Sequence, residues 1–301
     1  MIPSPASSCA RVRRALAFLA AAAFLSLLVL SCATSKNLVQ GTQATVQSAD
    51  GSRIAYGVVG HDQPAVMFVH GWLGDHAVWQ HQIEYFSNNH RVIWLDLAGH
   101  GASTADREQF TMTAFAQDVA AVVDATGARD VILVGHSMGG PVVIEAAKLL
   151  GDKVIGIVGV DAFYTPLAAV PEEMKLKFIE MLKTNYPAAL QGTVDSMFTE
   201  SASRELQDMT YDDMLADNHD MGVSALRECI LWNSRKEPQE LRNFEDMLYN
   251  INAAPTGNEA RLHESVVLIP GVGHFLFLVK PDEFNAALES IIEKIRADGT
   301  G

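Results

Sequence analysis

Ser137 is the residue of this chain whose setting most suggests chemistry. Gly135-His136-Ser137-Met138-Gly139-Gly140 follows the apolar run Val131 to Val134 and opens a helical stretch near Gly139. A serine hydroxyl is a poor nucleophile at neutral pH. It needs an imidazole to take its proton, an acid to orient that imidazole, and N–H donors for the oxyanion that develops on the attacked carbonyl. A sharp strand-to-helix turn would present the hydroxyl, and glycines at 135 and 139 would let strand and helix approach closely. The five-residue pattern alone is weak, and its place between a strand and a helix is what gives it weight. Ten histidines compete for the role of base. Only His274 lies in a glycine-rich loop, Gly271-Val272-Gly273-His274-Phe275, after a late apolar run and before the final helical stretch.

The elements that must position these residues alternate between short apolar runs and helical stretches, the pattern of a mostly parallel sheet covered by helices. Strands are predicted at Ala44 to Gln47 and Arg53 to Val59 around an Asp50-Gly51 turn. Further strands are predicted at Ala65 to Val69, Val92 to Leu95, Val131 to Val134, Val154 to Val160, Met247 to Asn252 and Val266 to Pro270. Continuous apolar runs of this kind suit strands buried on both faces. Helices are expected near Val78 to Phe86, Ala114 to Ala125, Pro141 to Leu150 and Pro281 to Arg296. The fold class is therefore α/β, with core segments 40–164 and 244–301. Residues 165–243 carry no strand-like run but many amphipathic pieces broken at Pro166, Pro171, Pro187 and Pro238, which reads as an inserted helical lid. Met174, Met181, Met197, Met209, Met214 and Met221 fall in it. They suit either a pliable surface over an acyl pocket or packing within the lid.

The formal net charge of −14 and the absence of a basic stripe exclude a nucleic-acid partner. Arg11, Arg13 and Arg14 precede an apolar run from Ala15 to Leu30, which marks residues 1–31 as an export signal, too short for a bilayer span. Val29-Leu30-Ser31-Cys32 resembles a bacterial lipobox, with Val29 where leucine is more usual. That resemblance implies a lipid anchor at Cys32 and a periplasm-facing position in the cell envelope, with a plain cleaved signal or a retained anchor as the alternatives. Cys9 and Cys32 belong to this segment, leaving Cys229 as a buried thiol in an apolar helical context. No H-E-x-x-H or compact Cys/His cluster suggests a metal.

Taken together, four motifs resemble the α/β-hydrolase family over nearly the whole mature length. They are His70-Gly71-Trp72, Asp96-Leu97-Ala98-Gly99-His100-Gly101-Ala102-Ser103, the Ser137 motif and the His274 loop, in the family's order and spacing. The resemblance implies an eight-stranded, mostly parallel sheet with an inserted helical lid. It also implies Ser137 as nucleophile, His274 as base, and the backbone N–H groups of Trp72 and Met138 as the oxyanion hole. The Trp72 side chain would line the pocket mouth or serve packing. His70 and His100 would shape loops, His136 would turn away from Ser137, and the remaining histidines read as surface positions. The serine separates the chain from dehalogenases and epoxide hydrolases of this fold, which place an aspartate at that turn.

The acid departs from the commoner family pattern. The stretch Met247 to Thr256, where it is usually found, holds no carboxylate. Asp161 ends the run Val154 to Val160, 24 residues after Ser137, a place from which some family members take their acid. Asp161 is the favoured reading, with Glu259 or an acid-free dyad as alternatives. The expected activity is nucleophilic acyl transfer on a small or medium carboxylic ester, with no metal, nucleotide or organic cofactor implied. Lipases, carbon-carbon bond hydrolases, lactonases and perhydrolases of this fold use the same residues, and a ligand-binding sensor with slow turnover would retain them too.

Overall fold

The computed structural model describes residues 41–163, 171–254 and 265–298. The export segment, Cys32 and Glu259 lie outside the described residues. Eight strands form one sheet in the order β1-β2-β4-β3-β5-β6-β7-β8. They are β1 (Thr42–Gln47), β2 (Arg53–Val59), β3 (Ala65–Val69), β4 (Arg91–Leu95), β5 (Val131–His136), β6 (Val154–Val160), β7 (Leu248–Ala253) and β8 (Val266–Ile269). β1 and β2 pair antiparallel, as do β2 and β4, and every later pairing is parallel. Every side chain of β3 and β5 is buried, as expected where helices cover both faces of a parallel sheet.

Helix α1 (Gln80–Phe86) continues a short 3₁₀ turn, His76–Trp79, and is followed by α2 (Met112–Thr126) and α3 (Gly139–Leu150). The Thr111 side chain caps α2 by accepting from the Ala114 N–H, and Gly127 ends it in the left-handed region. Among the described residues, five helices follow β6 in the segment expected to form the lid. These are α4 (Glu172–Thr184), α5 (Tyr186–Met197), α6 (Arg204–Ala216), α7 (His219–Arg235) and α8 (Glu237–Asn243). The chain then returns to β7 and β8, and α9 (Leu276–Val279) and α10 (Pro281–Asp298) close it. On α10 the buried residues Phe284, Leu288, Ile291, Ile292 and Ile295 recur at helical spacing and form the stripe that covers the sheet. Among the described residues no helix is long and apolar enough to cross a membrane.

One expectation needs correction. His90 is buried rather than a surface histidine, because α10 lies over it. Its ring packs near Phe86 and its Nε2 approaches Glu289 at 3.4 Å. The lid methionines divide between surface and interior. Met174, Met181 and Met209 face solvent, whereas Met214 and Met221 are buried.

Candidate active site

The register of the sheet brings the ends of five strands to one edge. Val69 pairs with Gly135, His136 with Val160, Val160 with Ile251, and Ala253 with Ile269. The residues just past β3, β5, β6 and β8 therefore share the C-terminal edge, where ligands of open α/β sheets bind. His70 to Trp72, Ser137, Asp161 and the loop to His274 are those residues.

Ser137 turns the chain from β5 into α3 with φ of +52°, a conformation that L-residues seldom adopt and that surrounding structure must hold. Its N–H donates to Val160 O at 3.0 Å, and Gly140 N–H donates to Ser137 O at 2.9 Å. The flanking glycines are required by close packing. A Cβ at Gly135 would lie 2.3 Å from Gly139 O, and one at Gly139 would lie 2.7 Å from Val69 O.

Asp161 turns the chain out of the neighbouring strand, also left-handed, with φ of +43°. Its N–H donates to Ile251 O at 3.0 Å. One carboxylate oxygen, Oδ1, accepts from Ala253 N–H at 3.1 Å, and the other, Oδ2, lies 2.6 Å from His274 Nδ1. Asn252 holds the next residues of this turn by donating to Phe163 O at 2.6 Å. This amide escaped the sequence reading. The visible signal was a pair of asparagines, Asn250 and Asn252, within an otherwise apolar strand.

His274 is fixed on three sides. Nδ1 faces Asp161, the backbone N–H donates to Met197 O at 2.7 Å, and the carbonyl accepts from His136 Nε2 at 3.0 Å. A neutral imidazole whose Nδ1–H donates to the carboxylate carries its lone pair on Nε2, the form able to accept a proton. His136 does turn away from Ser137, and it braces the His274 loop by that bond. Burial, with the nearby His274, pushes the His136 imidazole well below its ordinary pKa, so it stays neutral.

The loop after β3 is held by His70, whose Nε2 accepts from Leu97 N–H at 2.9 Å while Nδ1 donates to Gly71 O at 2.8 Å. Burial lowers its pKa, consistent with this neutral form, and burial with the neighbouring His70 pushes His100 down to about 3. Neither the Trp72 nor the Met138 N–H finds a backbone acceptor among the described residues. The Trp72 side chain does not line an open mouth. It is buried, and its Nε1–H donates to Gly222 O of α7 at 2.7 Å.

Asp75, His76 and Asp96 form a second cluster, with one ligand-type atom from each lying within 4.8 Å of the others. His76 is thus no free surface histidine. It stacks on Trp94 at 3.8 Å between ring centroids, and its Nδ1 lies 2.7 Å from Asp96 Oδ1. Asp96 Oδ1 also accepts from the His76 N–H, and Oδ2 accepts from the Ala102 N–H, so the carboxylate shapes its loop. Burial would raise the Asp96 pKa, but His76 and these donors outweigh it and hold it low. Asp217, from the lid, is pushed up to about 7 by burial and by Asp75, Asp96 and Asp213.

Comparison with known proteins agrees with this architecture. A family model described as alpha/beta hydrolase fold matches residues 64–213. A non-heme haloperoxidase of Rhodococcus erythropolis is 27% identical over 271 residues, covering 82% of this chain and 98% of that protein. The dihydrolipoyllysine-residue acetyltransferase component of the acetoin cleaving system of Cupriavidus necator is 34% identical over 108 residues. That match covers 36% of this chain and only 29% of the longer relative. Among solved structures, a thermophilic esterase from Thermogutta terrifontis superposes with a TM-score of 0.69 at 20% identity. It covers 84% of this chain and 99% of its own.

Proposed function

The chain belongs to the alpha/beta hydrolase fold family, and from that premise we propose that it is a serine hydrolase acting by acyl transfer on a small or medium carboxylic ester. The observation that supports this most is the 2.6 Å contact between His274 Nδ1 and Asp161 Oδ2, made beside the strained Ser137 turn on the adjacent strand end.

His274 Nε2 takes the Ser137 proton as Oγ attacks the ester carbonyl, and the imidazolium that forms is stabilised by Asp161. The N–H groups of Trp72 and Met138 hold the oxyanion. Collapse of the tetrahedral intermediate expels the alcohol, which takes the proton from His274. Water, activated by the same imidazole, then releases the acid and regenerates Ser137. A second reading is suggested by a similar protein described as a bifunctional esterase/perhydrolase: peroxide in place of water would give a peroxy acid from the same acyl-enzyme. The export signal and Cys32 would place this chemistry at the cell envelope.

Fluorophosphonate labelling followed by peptide mapping tests the nucleophile. Label on Ser137 is the expected result, and its absence from active protein would overturn the assignment. A series of p-nitrophenyl esters of rising chain length, run with and without peroxide, then separates hydrolysis from perhydrolysis and sets the acyl length.

A further inference from the structure

Helix α7 sits directly on the loop that follows β3. The Trp72 indole donates to Gly222 O at 2.7 Å, from a side chain only 7% exposed. The next residue, Leu73, is held at φ of +53°, a left-handed conformation costly for a bulky L-residue. Its side chain is fully buried against α7, where a Cβ on Gly222 would come within 2.7 Å of Leu73 Cδ2. One residue earlier, Met221 packs against the loop after β4, its Cγ lying 3.0 Å from where a Cβ on Gly99 would be. Two consecutive residues of a lid helix thus press on both loops at the sheet edge. Position 222 accepts no side chain larger than hydrogen without displacing Leu73.

We propose that Gly222 is a positioning residue for the backbone N–H of Trp72. By receiving the indole and bearing on Leu73, the first turn of α7 holds the strained Trp72-Leu73 main chain in the orientation that aims this N–H at the oxyanion. The inference rests on the acyl-transfer reading above. It makes α7 a fixed wall of the site that stays seated during turnover. An oxyanion donor works only if it is already aimed when charge develops, so a small rotation of this peptide lowers kcat more than it alters substrate binding.

Three variants test it: Gly222→Ala, Trp72→Phe, and Gly222→Ala combined with Leu73→Ala. Each is measured for kcat and KM on p-nitrophenyl butyrate, for affinity toward an arylboronic acid that forms a tetrahedral serine adduct, and for Tm. Gly222→Ala is expected to lower kcat by about tenfold, less than full loss of an oxyanion donor, with KM within about twofold. Boronate binding should weaken by the same factor as kcat. Trp72→Phe should lower both in parallel by about threefold, a smaller part of the same donor effect. Adding Leu73→Ala should restore much of the Gly222→Ala loss, a non-additivity that identifies the Leu73 contact as the cause. Wild-type kcat and boronate affinity in Gly222→Ala, or losses confined to KM or Tm, would overturn the proposal. A wild-type protein with neither turnover nor label at Ser137 overturns the acyl-transfer reading and this proposal with it, whereas an active wild type with unaffected variants overturns this proposal alone.

Discussion

Two turns on neighbouring strands, at Ser137 and at Asp161, solve one backbone problem by different means. Both place a non-glycine residue in the left-handed region at the end of a buried parallel strand. The Ser137 turn leads into a helix that must pass close to two strands. It is held by contacts between backbones, which exclude side chains at Gly135 and Gly139. The Asp161 turn leads out of the sheet between two helices, Ala162 and Phe163 lying against Gly140 of α3 and Phe163 lying near Trp232 of α7. It is held by side chains instead: the aspartate on Ala253 N–H and His274, and Asn252 on Phe163 O. Backbone packing leaves glycines close to the turn it holds, and Gly159 and Gly140 mark such contacts with Phe163 and Ala162, but the side chains that support the Asp161 turn come from a strand some 90 residues away and leave no mark nearby.

The comparison can be broken most directly at the two turn residues. Ser137→Ala should lower kcat by about four to six orders of magnitude while the fold persists, read by ester turnover and circular dichroism. Asp161→Asn should cost about three to four orders of magnitude, since the imidazole then loses its anionic partner, while Glu259→Gln stays within about twofold. Wild-type rates in Asp161→Asn would remove the acid turn from the chemistry. Between the supports, Gly139→Ala should destabilise by about 1–3 kcal/mol through overpacking against Val69 O, measured by urea denaturation. Asn252→Ala, which leaves the buried Phe163 carbonyl without its donor, should cost about 1–2 kcal/mol and lower kcat more than Gly139→Ala does.

The smallest effect lies on the lid side. Asp217 ionises near 3.8 in the unfolded chain and near 7 when folded. Between those values the folded state binds the extra proton, so the contribution of Asp217 to stability is full below about pH 4 and lost as pH rises through 7. Asp217→Asn should therefore leave Tm unchanged at pH 4 and raise it by a few degrees at pH 8. An equal effect at both pH values would show that charge at this position does not oppose lid seating.

These contrasts explain what could be read from the residues alone. The eight strands were legible because buried parallel strands are unbroken apolar runs, and the expected bounds fell within two residues of those found. Ser137 was legible through its glycines and His274 through its loop, in that each could be singled out as a candidate. Asp161 was favoured as the acid from its strand-end position 24 residues after Ser137, but its separation from His274 by 113 positions left Glu259 and an acid-free dyad open. The grip of Trp72 on Gly222 was hidden for the same reason. A tryptophan beside a glycine-rich loop suits a pocket wall or a packed interior, and the choice depends on a helix 150 positions away. His76 read as a surface residue because its stacking partner, Trp94, and its ionic partner, Asp96, come from the next strand.

The hydrogen bond from His274 N–H to Met197 O bears on how far the lid behaves as an interchangeable module. Transplanting residues 172–243 from a relative to change substrate preference would also replace the carbonyl that sets the height of the histidine loop. A chimera that matched the new pocket perfectly could then fail in proton transfer alone. Crossover points placed after Met197 and before His219 would exchange α6 and leave that anchor, and the seat of α7, with the host.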